Sequence, residues 1–288
     1  MILVTGANGQ VGQELQFLAS QFPDFEFIFT DRSVLDITDK LSVEKLFEEN
    51  DFMYCVNCAA YTAVDKAEEE QDLARKINTE AVENLAKACK KFGTQFIHIS
   101  TDYVYHSETI NRPYREDDMT NPQGVYAATK LEGDLIATQL LDTAIVLRTS
   151  WVYSSFGNNF VKTMIRLGEK LDSLRVIFDQ IGTPTYARDL AYGILKIIEK
   201  IESKTVQNYG GIYHFSNEGV TSWYDFALAI FEAKEIDIAV TPIETKDYPT
   251  PAKRPHFSLM NKAKIRSTFG LEIPHWKDAL GSCLDLLD

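Results

Sequence analysis

The chain has 288 residues, 45% of them hydrophobic and 25% charged, without low-complexity tracts or internal repeats, which excludes a disordered protein. A formal net charge of -13 argues against a nucleic-acid partner, because phosphate backbones select for concentrated Lys and Arg. No apolar run approaches the roughly 20 residues that span a bilayer, and the opening "MILVTG" has neither a basic segment nor a cleavage site. The expectation is a cytoplasmic protein with no membrane partner.

In chain order, "MILVTG" reads as a strand and "QVGQELQFLASQF" as a helix, with Val11, Leu15 and Leu18 at helical spacing. "FEFIFTD" is a second strand and "VEKLFEEN" a helix. "YCVNCAA" is a strand, "TEAVENLAKACKKFG" a helix closing at Gly93, and "QFIHIST" a strand. This alternation predicts an α/β fold, a doubly wound parallel sheet of Rossmann type, with residues 1–150 as a dinucleotide-binding domain. From about residue 150 the pattern loosens into a strand "LRVIFD", a helix "RDLAYGILKIIEKI", a strand "GIYHFSN" and a capped helix starting near Thr221. Residues 151–288 are expected to be mainly a smaller, mixed C-terminal substrate domain, with segments that can return to the sheet.

Ligands of such sheets lie outside the carboxyl ends of the strands, so the loops there hold the candidate residues. The first reads "TGANGQVG", with Gly6, Gly9 and Gly12 three apart between a strand and a helix, where missing side chains let a pyrophosphate reach the helix N-terminus. Asp31 ends the second strand, where an acidic residue takes ribose hydroxyls, yet Arg32 beside it could hold a 2′-phosphate. NADPH and NADH are both compatible. Asp36 and Ile37 in "LDITD" either cover the adenine or cap the next helix. Cys55 and Cys58 form a CxxC inside an apolar strand with no second pair, so no metal site is expected. Glu68, Glu69 and Glu70 read as a solvated face, and His98 and His214 as satisfied core histidines.

"VYAATKLEG" sets Tyr126 four residues ahead of Lys130, hence on one helical face, where an ammonium would pull the phenol below its usual pKa near 10. Thr101, ending "HIST", puts a hydroxyl at a strand end in the same crevice. Hydroxyl, phenol and amine beside a dinucleotide suit carbonyl reduction.

The glycine turn, "NCAAYTAVD", "STDYVY" and YxxxK, in that order, resemble the extended short-chain dehydrogenase/reductases. "AAYTAVDKAE", "RTSWVY", "GNNFVKTM", "DQIGTPTYARDLA", "TSWYDFA" and "YPTPAKRP" extend the resemblance over nearly the whole chain, to the dTDP-4-dehydrorhamnose reductase branch. The resemblance implies reduction of the C4 ketone of a dTDP-linked 4-keto-6-deoxysugar by a nicotinamide hydride. Thr101, Tyr126 and Lys130 match the catalytic residues, with Tyr126 giving the proton to O4. Gly9, Gln10 and Val11 match the pyrophosphate loop, Asp36 and Ile37 the adenosine end, and Ala60, Tyr61 and Thr62 a segment flanking the cofactor. Val64, Asp102, Tyr103 and Trp151 match sugar-lining positions, and Asn158, Asn159 and Arg254 the nucleotide diphosphate. Lys253 and Arg254 are also the best local basic cluster of this acidic chain.

Related 4,6-dehydratases read S-T-D-E-V-Y and use that glutamate for elimination; Tyr103 stands there in this chain. The chain also departs from its relatives in lacking a glycine soon after "STDYVY" and in carrying Ala127 where glycine is common. Some relatives hold magnesium with glutamates at a dimer interface, but "ARDLA" and "LGSCLDLLD" offer no glutamate there, so magnesium is not supported. Monomer and homodimer are both compatible. Two other readings fit the same residues: a non-catalytic nucleotide-binding regulatory subunit, and a reductase of another nucleotide-linked 4-keto-6-deoxysugar.

Overall fold

The computed structural model describes residues 1–287, so the last aspartate of the tail lies outside the described residues. Its first half alternates β1 (Ile2–Thr5), α1 (Gln10–Ala19), β2 (Phe27–Thr30), α2 (Lys40–Glu48) and β3 (Tyr54–Asn57). Two short helices, α3 (Val64–Ala67) and α4 (Gln71–Arg75), lead through a π-helical turn, Lys76–Glu80, into α5 (Ala81–Phe92). Then come β4 (Gln95–Thr101), α6 (Val125–Leu140) and β5 (Ile145–Thr149). Helix α5 ends where the sequence predicts, because Gly93 adopts φ +73 and the N–H groups of Gly93 and Thr94 both reach the Cys89 carbonyl.

The second half contains β6 (Val152–Tyr153), α7 (Phe160–Gly168), β7 (Ser173–Ile177), β8 (Ile181–Gly182) and β9 (Thr185–Tyr186). It continues with α8 (Ala187–Glu202), β10 (Gly211–His214), β11 (Thr221–Ser222), α9 (Trp223–Ala233), β12 (Ala239–Ile243), α10 (Ala263–Phe269) and α11 (Trp276–Leu284). Six strands form one sheet in the order β2-β1-β3-β4-β5-β10, every pair parallel.

Successive strand residues face opposite sides of a sheet, and the two cores follow that alternation. Ile2, Val4, Tyr54, Val56, Ile97 and Leu147 pack under α1, α8 and α10. Leu3, Cys55, Phe96 and Val146 pack under α2, α5 and α6. A third core joins α7, α9 and α11 around Phe226, Ile230 and Trp276. Strand order reverses at β1, between β2 and β3, so the loops after these three strands open one crevice at their carboxyl ends. No helix among the described residues is long and apolar enough to cross a membrane.

Candidate active site

The loops after β1, β2 and β3 line a cleft of about 420 Å³ containing Gly6, Gly9, Asp31, Asp36, Ile37, Cys58, Ala60 and Lys76. Gly6 is at φ +68, and a Cβ there would lie 2.6 Å from the Ala59 backbone nitrogen. At Gly12 a Cβ would strike the Gly6 carbonyl, so both positions need glycine. Gly9 is the N-cap of α1, and no side chain makes a capping hydrogen bond to that helix end. Val11 packs into the core. Gln10 reaches across the crevice, donating to the Val152 carbonyl at 3.3 Å and accepting from Asn159 at 2.9 Å.

Asp31 accepts from the Ser33 N–H and hydroxyl on one oxygen and from Asn8 on the other; the Ser33 bonds hold its carboxyl below the usual range. Asp36 is held low by Thr38, and Arg32 stands 3.7 Å from it, exposed. The rim thus presents both an acidic residue for hydroxyls and basic residues, Arg32 and Lys76, for a further phosphate.

Not every predicted residue turns a side chain inward. Tyr61 directs its phenol to Glu70 and offers the site only backbone, while Thr62 is exposed. Asn158 is exposed, and Asn159 caps α7 by accepting from the Lys162 N–H. The acidic run is more than a solvated face: Glu68 accepts the Val125 N–H at 2.9 Å, supplying the cap that Gly124 lacks at the start of α6.

Strand β4 delivers Thr101 and helix α6 delivers Tyr126 and Lys130 to the same place. The Thr101 hydroxyl lies against the Tyr126 phenol and favours its ionised form, but burial outweighs this and pushes the phenol up to about 12. Spacing alone led to the opposite expectation, that Lys130 pulls the phenol down. Burial explains the difference, because it lowers Lys130 itself to about 8. Lys130 donates to the Ile99 carbonyl at 2.7 Å and lies 3.3 Å from His98 Nε2.

Asn57 fixes the histidine tautomer. Its Oδ1 accepts from the Ala59 N–H and the Thr5 hydroxyl, so its NH₂ faces His98 Nδ1 at 3.0 Å, and the ring proton sits on Nε2 toward Lys130. Asp134 and Cys58 favour the Lys130 ammonium, but burial outweighs them. Behind His98 and Lys130, Asp134 pairs with buried Arg148, which donates to Tyr105, whose hydroxyl meets His214 at 2.7 Å. His98 and His214 are both core histidines with partners, as the sequence suggests.

Val64, Tyr103 and Tyr126 line a narrow opening with Gln123, Ala252 and Pro255. The Tyr103 and Tyr126 rings meet edge to face at 5.8 Å. Asp102 is buried beside Thr101, and that burial pushes its carboxyl up to about 7. Trp151 has a left-handed backbone, φ +48, which is rare for a bulky residue. Its indole stacks on Trp223 at 3.7 Å, and a Cβ on Gly182 would lie 2.9 Å from it. Trp223, Phe160, Asp65, Tyr248, Thr250 and Arg254 line a neighbouring cavity of about 510 Å³.

Sequence reading missed Asn78. It sits in the π-helical turn, accepts from the Tyr61 N–H at 2.8 Å and donates to the Tyr61 carbonyl at 3.1 Å, fixing the loop after β3. Gly182, Trp223 and Asp65 were likewise not singled out. Asn78 stands among Lys76, Thr79 and Glu80, so no local pattern in the sequence marks it. Among the described residues no group of His, Cys, Asp and Glu converges as a metal would require.

A parallel sheet with a glycine-lined cleft at its switch point, beside a buried hydroxyl and amine and a half-buried tyrosine, defines a dinucleotide-binding oxidoreductase fold. The chain belongs to the RmlD substrate-binding domain family, whose sequence profile matches residues 1–288. A dTDP-4-dehydrorhamnose reductase of Aggregatibacter actinomycetemcomitans is 41% identical over 285 residues, covering 97% of this chain and 96% of its own. The crystal structure of a dTDP-4-dehydrorhamnose reductase from Clostridium acetobutylicum superposes with a TM-score of 0.93 at 45% identity, covering 99% of each chain. That from Bacillus anthracis, in complex with NADP, gives a TM-score of 0.92 at 36% identity, covering 99% of this chain and 98% of its own.

Proposed function

We propose that the protein reduces the C4 ketone of dTDP-4-dehydro-L-rhamnose to dTDP-L-rhamnose with NADPH or NADH. One observation carries the reading: the Thr101 hydroxyl lies against the Tyr126 phenol, with Lys130 one helical turn on and near Cys58 of the glycine cleft, in a chain whose full-length relatives include dTDP-4-dehydrorhamnose reductases. The cleft fits a dinucleotide because Gly6 and Gly12 let the chain turn tightly where a Cβ would strike backbone, and the α1 N-terminus that follows has no side-chain cap hydrogen bond. Gly9, Gln10 and Val11 would meet the pyrophosphate at the α1 N-terminus, with Asp31, Asp36 and Ile37 at the adenosine end and Ala60, Tyr61 and Thr62 alongside. The bound dihydronicotinamide supplies the hydride.

The chain's own part is the proton. Tyr126, with its pKa near 12, is fully loaded at neutral pH and still acidic enough to protonate an alkoxide developing at O4. The Thr101 hydroxyl orients that oxygen, and the Lys130 amine holds a ribose hydroxyl. Tyr103 stands where a dehydratase has its carboxylate base, so elimination lacks a proton abstractor. Val64, Asp102, Tyr103 and Trp151 would line the sugar, and residues 151–288 would mainly form the substrate side, with Asn158, Asn159 and Arg254 toward the diphosphate.

The test follows nicotinamide absorbance with dTDP-4-dehydro-L-rhamnose made in place, NADPH and NADH being tried separately. Tyr126→Phe is expected to lower turnover about 10²- to 10⁴-fold while keeping coenzyme binding. Unchanged turnover in that variant would sink the assignment.

A further inference from the structure

Arg254 is the cation that the proposed function offers to a nucleotide diphosphate, and an internal anion already holds its fork. Its two terminal nitrogens donate to the two oxygens of Asp65, at 3.1 and 2.7 Å, a bidentate pair. The same guanidinium donates to the Thr250 hydroxyl at 2.6 Å and the Ala252 carbonyl at 3.1 Å, while the Ala252 N–H donates to Asp65 at 3.1 Å. Asp65 lies in the first turn of α3, directly after the loop that flanks the cofactor cleft, whereas Arg254 belongs to the proline-rich loop 189 residues on in the same chain's C-terminal half, and both line the cavity with Trp223 and Phe160.

A phosphate presents the same spaced pair of oxygens to a guanidinium as a carboxylate does, so the two anions compete for one fork. The pair is reachable: the Arg254 side chain is 22% exposed and that of Asp65 38%, so an incoming ligand can displace the carboxylate into solvent without leaving a buried charge behind.

We propose that Asp65 is an affinity-setting competitor, occupying the place on Arg254 that a ligand phosphate takes, so that nucleotide binding exchanges one anion for another. This rests on the reading that a nucleotide diphosphate enters this cavity. The rival role, a splint that holds Arg254 ready for the ligand, has the opposite sign: removing the Asp65 charge would then weaken binding.

The experiment titrates dTDP, and separately thymidine, into the parent, Asp65→Asn, Arg254→Ala and the double variant, each with NADPH binding as a check of folding. Asparagine keeps an oxygen for the Ala252 N–H and removes the charge. Asp65→Asn is expected to bind dTDP roughly three- to tenfold more tightly, with thymidine unchanged and the gain shrinking in the Arg254→Ala background. Equal or weaker dTDP binding by Asp65→Asn, against an intact parent affinity, overturns the competitor role. A parent that binds NADPH but not dTDP overturns instead the functional reading beneath it.

Discussion

Asp102 shows how much a single buried group can reveal about a site. Its carboxyl is walled in beside Thr101, whose hydroxyl is 3.2 Å away, and burial raises its pKa to about 7 from roughly 3.9 in an unfolded chain. Below about pH 4 the group is protonated in both states and contributes nothing to the pH dependence. Between about pH 4 and 7 the folded protein holds a proton that the unfolded chain has released, so stability falls as pH rises; above about 7 the full cost is present. Asparagine has no charge to bury. Asp102→Asn is therefore expected to unfold later in urea than the parent at about pH 8, by about 2–4 kcal/mol, with the gap closing toward about pH 4. A gap independent of pH would mean that the carboxyl is not held neutral by its surroundings. Trp151 carries a different mark of function: a left-handed backbone under a large ring, tolerated because Trp223 stacks on one face and Gly182 leaves space beside it.

Regular elements with strong periodicity are those that sequence announces. The helix predicted over "QVGQELQFLASQF" forms over Gln10–Ala19, and that over "RDLAYGILKIIEKI" over Ala187–Glu202, because each buries a stripe of Leu, Ile and Val. Two-residue strands such as Thr185–Tyr186 and Thr221–Ser222 carry no period at all, since their partners are fixed only by the tertiary fold. The site shows the same division. Tyr126 and Lys130 were legible because four residues make one helical face, whereas Asn78 was not, because the π-helical turn breaks the period that would have flagged it. That turn has a job in the cleft. Asn78 satisfies both backbone groups of Tyr61, and Gly133 on α6 has no side chain to strike the Asn78 carbonyl. Replacing Asn78 by Ala strands a donor and an acceptor in partly buried surroundings, at about 1–3 kcal/mol of stability, and frees the loop beside the cofactor. The expected outcome is a coenzyme KM raised several-fold more than kcat is lowered; unchanged coenzyme KM would mean that the loop needs no clamp.

The whole chain is tied together across residue 150 more tightly than a two-domain description suggests. Strand β10, Gly211–His214, pairs in parallel with β5 and closes the sheet on that side. Helix α8 lays Leu190, Ile194, Leu195, Ile197 and Ile198 into the same core as α1. A buried carboxylate adds a polar tie: Glu14 on α1 accepts from Ser154 at 2.6 Å and from Arg188 on α8 at 2.8 Å. Residues 1–150 cut away from the rest would lose α8 and α10 from one face of the sheet, keeping only α1 there, expose the hydrogen-bonding edge of β5 and strand Glu14 without partners. Each of the five α8 side chains contributes roughly 1.5–3 kcal/mol of burial, so their loss alone rivals the 5–15 kcal/mol that holds an ordinary domain together. The segment 1–150 is therefore expected to remain unfolded or aggregate when expressed alone, giving no cooperative urea transition. The full chain should unfold with coincident transitions by tryptophan fluorescence, whose three reporters all lie beyond residue 150, and by far-ultraviolet circular dichroism, which sees both halves. A folded, NADPH-binding 1–150 fragment would show instead that the sheet stands without its sixth strand and that the second half is an appendage to it.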